Sequence, residues 1–229
     1  NANANANTNS VLNRNTNDKT NTTVATNTIE PPAPLQVVTI AADKDRDDLT
    51  DMEEELYGTK VSLPDSDKDG FVDGTEVKNL YSPLKADETL LKSGLVTEYK
   101  NKKLDWSALY PTSWLADTAD PEGREVLFTP DTGEGEWIEV LITDNPTQQS
   151  AAEWYSALYP DNSAVGKFSV VEVAGLTGIV TSNGLTYYLA NGSTIIGFVY
   201  NVGTAQSAHF QTTFAIIVKS FTLTNDTAP

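Results

Sequence analysis

Residues 168–200 read FSVVEVAGLTGIVTSNGLTYYLANGSTIIGFVY, and this stretch decides the fold class. Runs rich in β-branched and aromatic residues alternate with turn pairs, which predicts strands over Phe168–Val173, Leu176–Thr181, Leu185–Ala190 and Thr194–Tyr200. Asn183-Gly184 and Asn191-Gly192 are the strongest hairpin signals, since both central residues of a type I′ turn need positive φ. The four strands therefore form an antiparallel meander. Upstream, Glu125–Phe128 and Trp137–Thr143 read as further strands. Two helices break the pattern. Ser150-Ala-Ala-Glu153 is a capping box, followed at helical spacing by Trp154, Tyr155 and Leu158. Phe210, Phe214, Ile217 and Val218 predict an amphipathic helix over Ser207–Lys219. The expected class is α+β.

Residues 1–29 are different in kind. They hold ten Asn and seven Thr with few large apolar groups, too little to offset the entropy of ordering, so 1–34 reads as a disordered Asn/Thr-rich tether. Its opening, NANANAN, lacks the basic and apolar regions of a signal peptide, as in a processed or truncated chain, and leaves room for an upstream membrane or lipid anchor. There is no run of 18 apolar residues to span a bilayer. With no cysteine, disulfides and thiol chemistry are excluded.

The net charge of −17 is concentrated rather than spread: residues 41–90 carry fifteen acids against six bases. Such a surface repels nucleic acid and anionic lipid and favours cations. The acids fall in a repeated register. Asp43, Asp45, Asp47, Asp51 and Glu54 occupy positions 1, 3, 5, 9 and 12 of one twelve-residue segment, and Asp65, Asp67, Asp69, Asp73 and Glu76 occupy the same positions of another. Leu49 and Phe71 stand at position 7, where a backbone carbonyl completes the shell. Calcium takes six to eight hard oxygens, and this spacing wraps such a shell around one ion. Five carboxylates so close would otherwise repel one another, and a merely solvated acidic face would not repeat one register twice. Two calcium ions are expected. The first loop has Asp48 at position 6 where the second has Gly70, so it is expected to bind more weakly.

No entering helix precedes either loop, and only Asp51–Tyr57 and Gly74–Leu80 suit short exiting helices. The 22-residue offset, with Gly58-Thr59 and Leu63-Pro64-Asp65 between the loops, resembles bacterial thrombospondin type 3 repeats over about Ala42–Tyr81. That resemblance implies that metal stands in for a hydrophobic core. It also implies as ligands Asp43, Asp45, Asp47, Asp51, Glu54, Asp65, Asp67, Asp69, Asp73 and Glu76. A dockerin pairs two loops at similar spacing, but generally ends them with Asp and carries longer helices.

Tyr99-Lys-Asn-Lys-Lys-Leu104-Asp-Trp-Ser-Ala-Leu-Tyr110-Pro111-Thr-Ser-Trp114, with the later order of strands and helices, resembles a PsbP-like domain over about Leu95–Thr224. This implies an antiparallel sheet sandwiched by helices and a non-catalytic binding or assembly role.

Catalysis has few candidates. The single histidine, His209, reads as helix-end polar trim. Glu125, Glu136 and Glu139 could supply paired acids, but side-of-sheet alone defines no cleft. Trp106, Trp114, Trp137 and Trp154 could form a sugar platform, though core packing is their usual use. The expected organisation is a tether (1–34), a paired calcium-loop module (35–90) and a PsbP-like α+β domain (91–226). The expected function is an exported, extracellular or cell-surface protein, not an enzyme, whose calcium-rigidified spacer presents an interaction domain to another envelope protein. A secreted hydrolase or carbohydrate-binding protein is the alternative.

Overall fold

The computed structural model describes residues 38–131, 133, 135–158, 167–204 and 207–224. The expected tether over 1–34 lies outside them. In chain order the elements are β1 (Thr39–Ile40), α1 (Asp51–Tyr57), α2 (Asp73–Lys78), β2 (Val96–Asn101), β3 (Trp106–Pro111), β4 (Leu115–Thr118), β5 (Glu125–Thr129), β6 (Trp137–Asp144), α3 (Ala151–Leu158), β7 (Phe168–Val173), β8 (Leu176–Thr181), β9 (Thr186–Asn191), β10 (Thr194–Asn201), β11 (Ser207–Ala208), α4 (Gln211–Ser220) and β12 (Thr222–Leu223).

A seven-stranded antiparallel sheet runs β4-β5-β6-β10-β9-β8-β7, so the meander read from residues 168–200 makes up more than half of it. The expected α+β class is the one observed. Strand alternation sends Ile196 and Phe198 of β10, Val140 of β6 and Leu189 of β9 to one face, where Phe214, Ile217 and Val218 of α4 cover them. A small sheet, β12-β3-β2, brings Trp106 and Phe221 against the same core. The opposite face carries Ile179, Tyr188 and Ile195, covered by Trp154 and Tyr155 of α3. Helices thus lie on both faces of the sheet. Among the described residues no helix is long and apolar enough to cross a membrane.

Two local expectations are corrected. The turns following the Asn residues are not type I′. Asn191 pairs with Thr194, so the loop is Gly192-Ser193 and only Gly192 has positive φ. Asn183 instead spends its side chain on the turn, accepting from Thr181 Oγ1 at 2.7 Å and the Leu185 amide at 3.1 Å. Positive φ at both central positions occurs at Ala174-Gly175 (52° and 74°), because Val173 pairs directly with Leu176. The last helix also starts later than Ser207. Ser207 and Ala208 are drawn into a parallel pairing with Thr39 and Ile40, and α4 begins at Gln211.

The acidic segment does not stand clear of the sheet domain. Leu49, Tyr57 and Val77 from the loop region share one buried cluster with Leu90, Val96 and Ile216. The cluster thus joins side chains from both sides of residue 90.

Candidate metal centre

The two acidic loops fold alike because the same side chains hold the same amides. The carboxylate at position 1 turns inward and accepts from positions 4 and 6. Asp43 takes the Arg46 and Asp48 amides at 2.7 and 3.1 Å, and Asp65 takes those of Lys68 and Gly70 at 2.7 and 3.0 Å. Position 5 accepts from position 7: Asp47 from Leu49 at 2.8 Å, and Asp69 from Phe71 at 2.9 Å. Position 9 reaches back to position 2: Asp51 to the Lys44 amide at 3.0 Å, Asp73 to that of Ser66 at 2.9 Å. Positions 4 and 6 are left-handed in both loops, with φ of 66° and 78° at Arg46 and Asp48, and 68° and 103° at Lys68 and Gly70. Asp48 therefore adopts the turn that the glycine takes in the second loop, and its side chain pairs with Lys78 at 2.9 Å.

These turns converge the carboxylates. Asp43, Asp45 and Asp47 each offer an oxygen within 4.8 Å of the others, as do Asp65, Asp67 and Asp69, so each triad can hold a metal ion. The expected exiting helices bring in the remaining acids. α1 matches Asp51–Tyr57, while α2 is shorter than Gly74–Leu80 and starts one residue earlier. Glu54, fully buried on α1, lies close enough to feel the charges of Asp45, Asp47, Asp51 and Asp43. Burial first, and those charges next, push its carboxyl up to about 8. Glu76 on α2 is likewise pushed up to about 8 by burial and by Asp69, Asp67, Asp73 and Asp65. Asp47 rises to about 6, chiefly through burial.

The fit to a cation is tested by what these oxygens touch. Both oxygens of Asp45 and of Glu54, and one each of Asp67, Asp73 and Glu76, are shielded from solvent with no hydrogen-bond donor. A buried carboxylate oxygen without a donor loses its hydration for nothing in return. Seven such oxygens, four in the first cluster and three in the second, fit a cation.

The loops also interlock. The Gly74 amide donates to Asp47 Oδ2 at 3.3 Å, and a Cβ at position 74 would lie 2.1 Å from the Asp47 carbonyl oxygen. Only glycine permits that approach. Gly74 and its role were not read from the sequence. Neither was Glu53, although Thr50-Asp-Met-Glu53 carries the capping-box signature that would have marked it. Thr50 and Glu53 cap each other's amides at the start of α1. Burial pushes the Glu53 carboxyl up to about 7 against the hydrogen bonds it receives.

The candidates for catalysis are dispersed. Glu136 is buried on the α4 side, where it accepts from Tyr200 Oη at 2.7 Å and meets His209 Nδ1 at 3.0 Å. His209 is therefore a partner of a buried carboxylate, not polar trim. Glu125 and Glu139 lie on the opposite face of the sheet, paired across from Leu141 and Leu127. Burial, and then the charge of Glu125, push Glu139 up to about 7. Trp106, Trp114 and Trp154 are buried in the cores, so they present no sugar platform. A surface hollow of about 590 Å³ at the β2–β3 turn is lined by Lys100, Lys102 and Lys103, with Asp120 as its single acid.

No family profile matches the chain. No curated protein matches it either. Among solved structures it is similar to the cyanobacterial PsbP protein CyanoP from Synechocystis sp. PCC 6803, at 15% identity and a TM-score of 0.39 over 57% of this chain and 93% of that one. It is similar to a Bacteroides thetaiotaomicron protein at 11% identity and a TM-score of 0.41, over 58% of this chain and 50% of that one. It is also similar to the Ran-binding protein Mog1p of Saccharomyces cerevisiae, at 9% identity and a TM-score of 0.37, over 56% of this chain and 95% of that one. The likeness is one of general backbone path across little more than half the chain.

Proposed function

We propose that this chain is a calcium-binding protein of the cell exterior, in which a paired calcium-loop module (35–90) braces a PsbP-like α+β interaction domain (91–226). The observation that carries the reading is Glu54: a fully buried carboxylate, neither oxygen of which has a donor, at position 12 of a loop whose other acids surround it. Calcium is favoured over magnesium by the donor set. Asp43, Asp45, Asp47, Asp51 and Glu54, with the Leu49 carbonyl, would supply an all-protein oxygen shell, and Asp65, Asp67, Asp69, Asp73 and Glu76, with the Phe71 carbonyl, would supply the second. Magnesium prefers to keep several waters. The register resembles that of thrombospondin type 3 repeats.

Loops of this kind saturate where calcium is abundant, which supports an extracellular or cell-surface site, with another envelope protein as the partner of the domain. The acidic surface disfavours nucleic acid. Each cation would neutralise a cluster of carboxylates that otherwise repel, and so would hold its loop and exiting helix in place. Titration calorimetry on chelator-treated protein is expected to show two calcium ions with affinities on the order of 10⁻⁴ M, and weaker heats with magnesium. Glu76→Gln is expected to reduce the stoichiometry to one. No saturable calcium binding would overturn the reading.

A further inference from the structure

Helix α4 begins without a cap of its own: Phe210, at its N-cap, makes no side-chain bond to the helix. The first-turn groups are instead met from the first calcium loop and α1, some 160 residues away in sequence. Glu53 Oε1 accepts from the Thr213 amide at 2.6 Å. Tyr57 Oη and Thr213 Oγ1 are hydrogen-bonded at 3.0 Å. The Asp48 carbonyl accepts from Thr212 Oγ1 at 2.7 Å, and the Thr50 hydroxyl donates to the His209 carbonyl.

Beyond those contacts lies a second layer. Glu136 holds His209 Nδ1, and Tyr200 Oη accepts from the Phe210 amide at 2.8 Å. The Phe210 ring stands edge-on to Trp114 at 5.0 Å. The second loop has Gly70, Val72 and Thr75 at the positions of Asp48, Thr50 and Glu53. Its helix packs on the middle of α4, where Val77 shares a buried cluster with Ile216, and on its far end, where Lys219 Nζ donates to the Lys78 carbonyl and Asn79 Oδ1, both at 2.8 Å. The hydrogen bonds to the first turn of α4 come from the first loop and α1.

Resting on the calcium reading, we infer that Glu53 is a positioning residue that carries the occupancy of the first loop into the α+β domain. Glu54 holds the ion, and the adjacent Glu53 caps α4, so metal in the first loop sets the geometry of residues 209–213. Metal in the second loop does not. Without the ion, repulsion among the first-loop acids loosens α1, and the cap on α4 goes with it. The sheet keeps its own core.

The four tryptophans lie between residues 106 and 154, outside the loops, so their fluorescence reports on the domain, and Trp114 reports on Phe210. His209 is the single histidine, so its ring resonances report on the Glu136 contact without assignment. In the full chain, adding calcium is expected to shift both signals. Glu76→Gln keeps both shifts, while Glu54→Gln abolishes them and leaves the second-loop heat in place. Glu53→Met, similar in length but without an acceptor, keeps both calcium heats and loses the shifts. Glu53→Gln, which can still accept from Thr213, restores them in part. Trp114→Phe removes the fluorescence change and leaves the His209 shift.

Calcium binding that leaves Trp and His209 signals unmoved would overturn the inference alone, whereas absence of calcium heat would overturn the functional reading beneath it. Shifts that follow Glu76→Gln, or that survive Glu53→Met, would equally overturn it. Where Glu53→Met does not fold by circular dichroism, the contrast between Glu54→Gln and Glu76→Gln decides.

Discussion

The two acidic loops share the hydrogen bonds made by positions 1, 5 and 9 and have opposite surroundings. At position 7 the first places Leu49 in the shared core, fully buried, while the second leaves Phe71 62% exposed. At position 5, Asp47 is buried under Gly74 and Asp69 is open. Position 12 is buried in both, at Glu54 and Glu76. The loop architecture is therefore internal to twelve residues, and its depth in the molecule is set from outside. What differs is which end of α4 each loop meets: the first reaches its start through Thr50, Glu53 and Tyr57, and the second packs on its middle and far end through Val77 and the turn after α2.

The sharpest way to break this comparison is to truncate position 7 in each loop. Leu49→Ala is expected to cost about 2–5 kcal/mol, as for other buried leucines. Phe71→Ala is expected to change stability by no more than about 0.5 kcal/mol, since it leaves no cavity. Urea unfolding in saturating calcium checks both, and equal losses would show that the loops are not differently embedded.

Gly74→Ala tests the interlock between them. Its Cβ would strike the Asp47 carbonyl, so the loops must part, at a cost of about 1–3 kcal/mol. Calorimetry is expected to show both calcium heats weakened, because Asp47 belongs to the first loop and Gly74 to the second. Weakening confined to the second loop would mean that the two sites are independent.

The smallest effect belongs to Asp48→Gly. Asp48 sits at φ 78°, and glycine would relieve roughly 1 kcal/mol of backbone strain. The exposed pair with Lys78 would be lost, and such pairs contribute about 0–1 kcal/mol. The first site is expected to tighten a few-fold, and an unchanged titration would show that this backbone is not strained.

The antiparallel meander was legible because runs of β-branched and aromatic residues broken by turn pairs over 168–200 are a local signal, and its strands fall within a residue of where those runs place them. The turn types were less so. Asn-Gly favours type I′, but the register between Val173 and Leu176 imposed that turn on Ala174-Gly175 instead. The start of α4 was misread for a similar reason, since Ser207 and Ala208 pair with Thr39 and Ile40, partners 168 residues away. His209 looked like surface trim because nothing near it in sequence announces Glu136.

The sequence by itself determined the two acidic loop registers, since a loop whose carboxylates bond to amides within the same twelve residues depends only on spacing. It also determined β5 to β10 and the capped helix at Ser150. Only the tertiary structure decided that Leu49 is buried and Phe71 is not, that Glu53 caps a helix 160 residues away, and that Glu136 and His209 meet. Those outcomes depend on which surfaces come together when the sheet closes over α4. No local pattern of residues 43–76 encodes the neighbours that packing will bring.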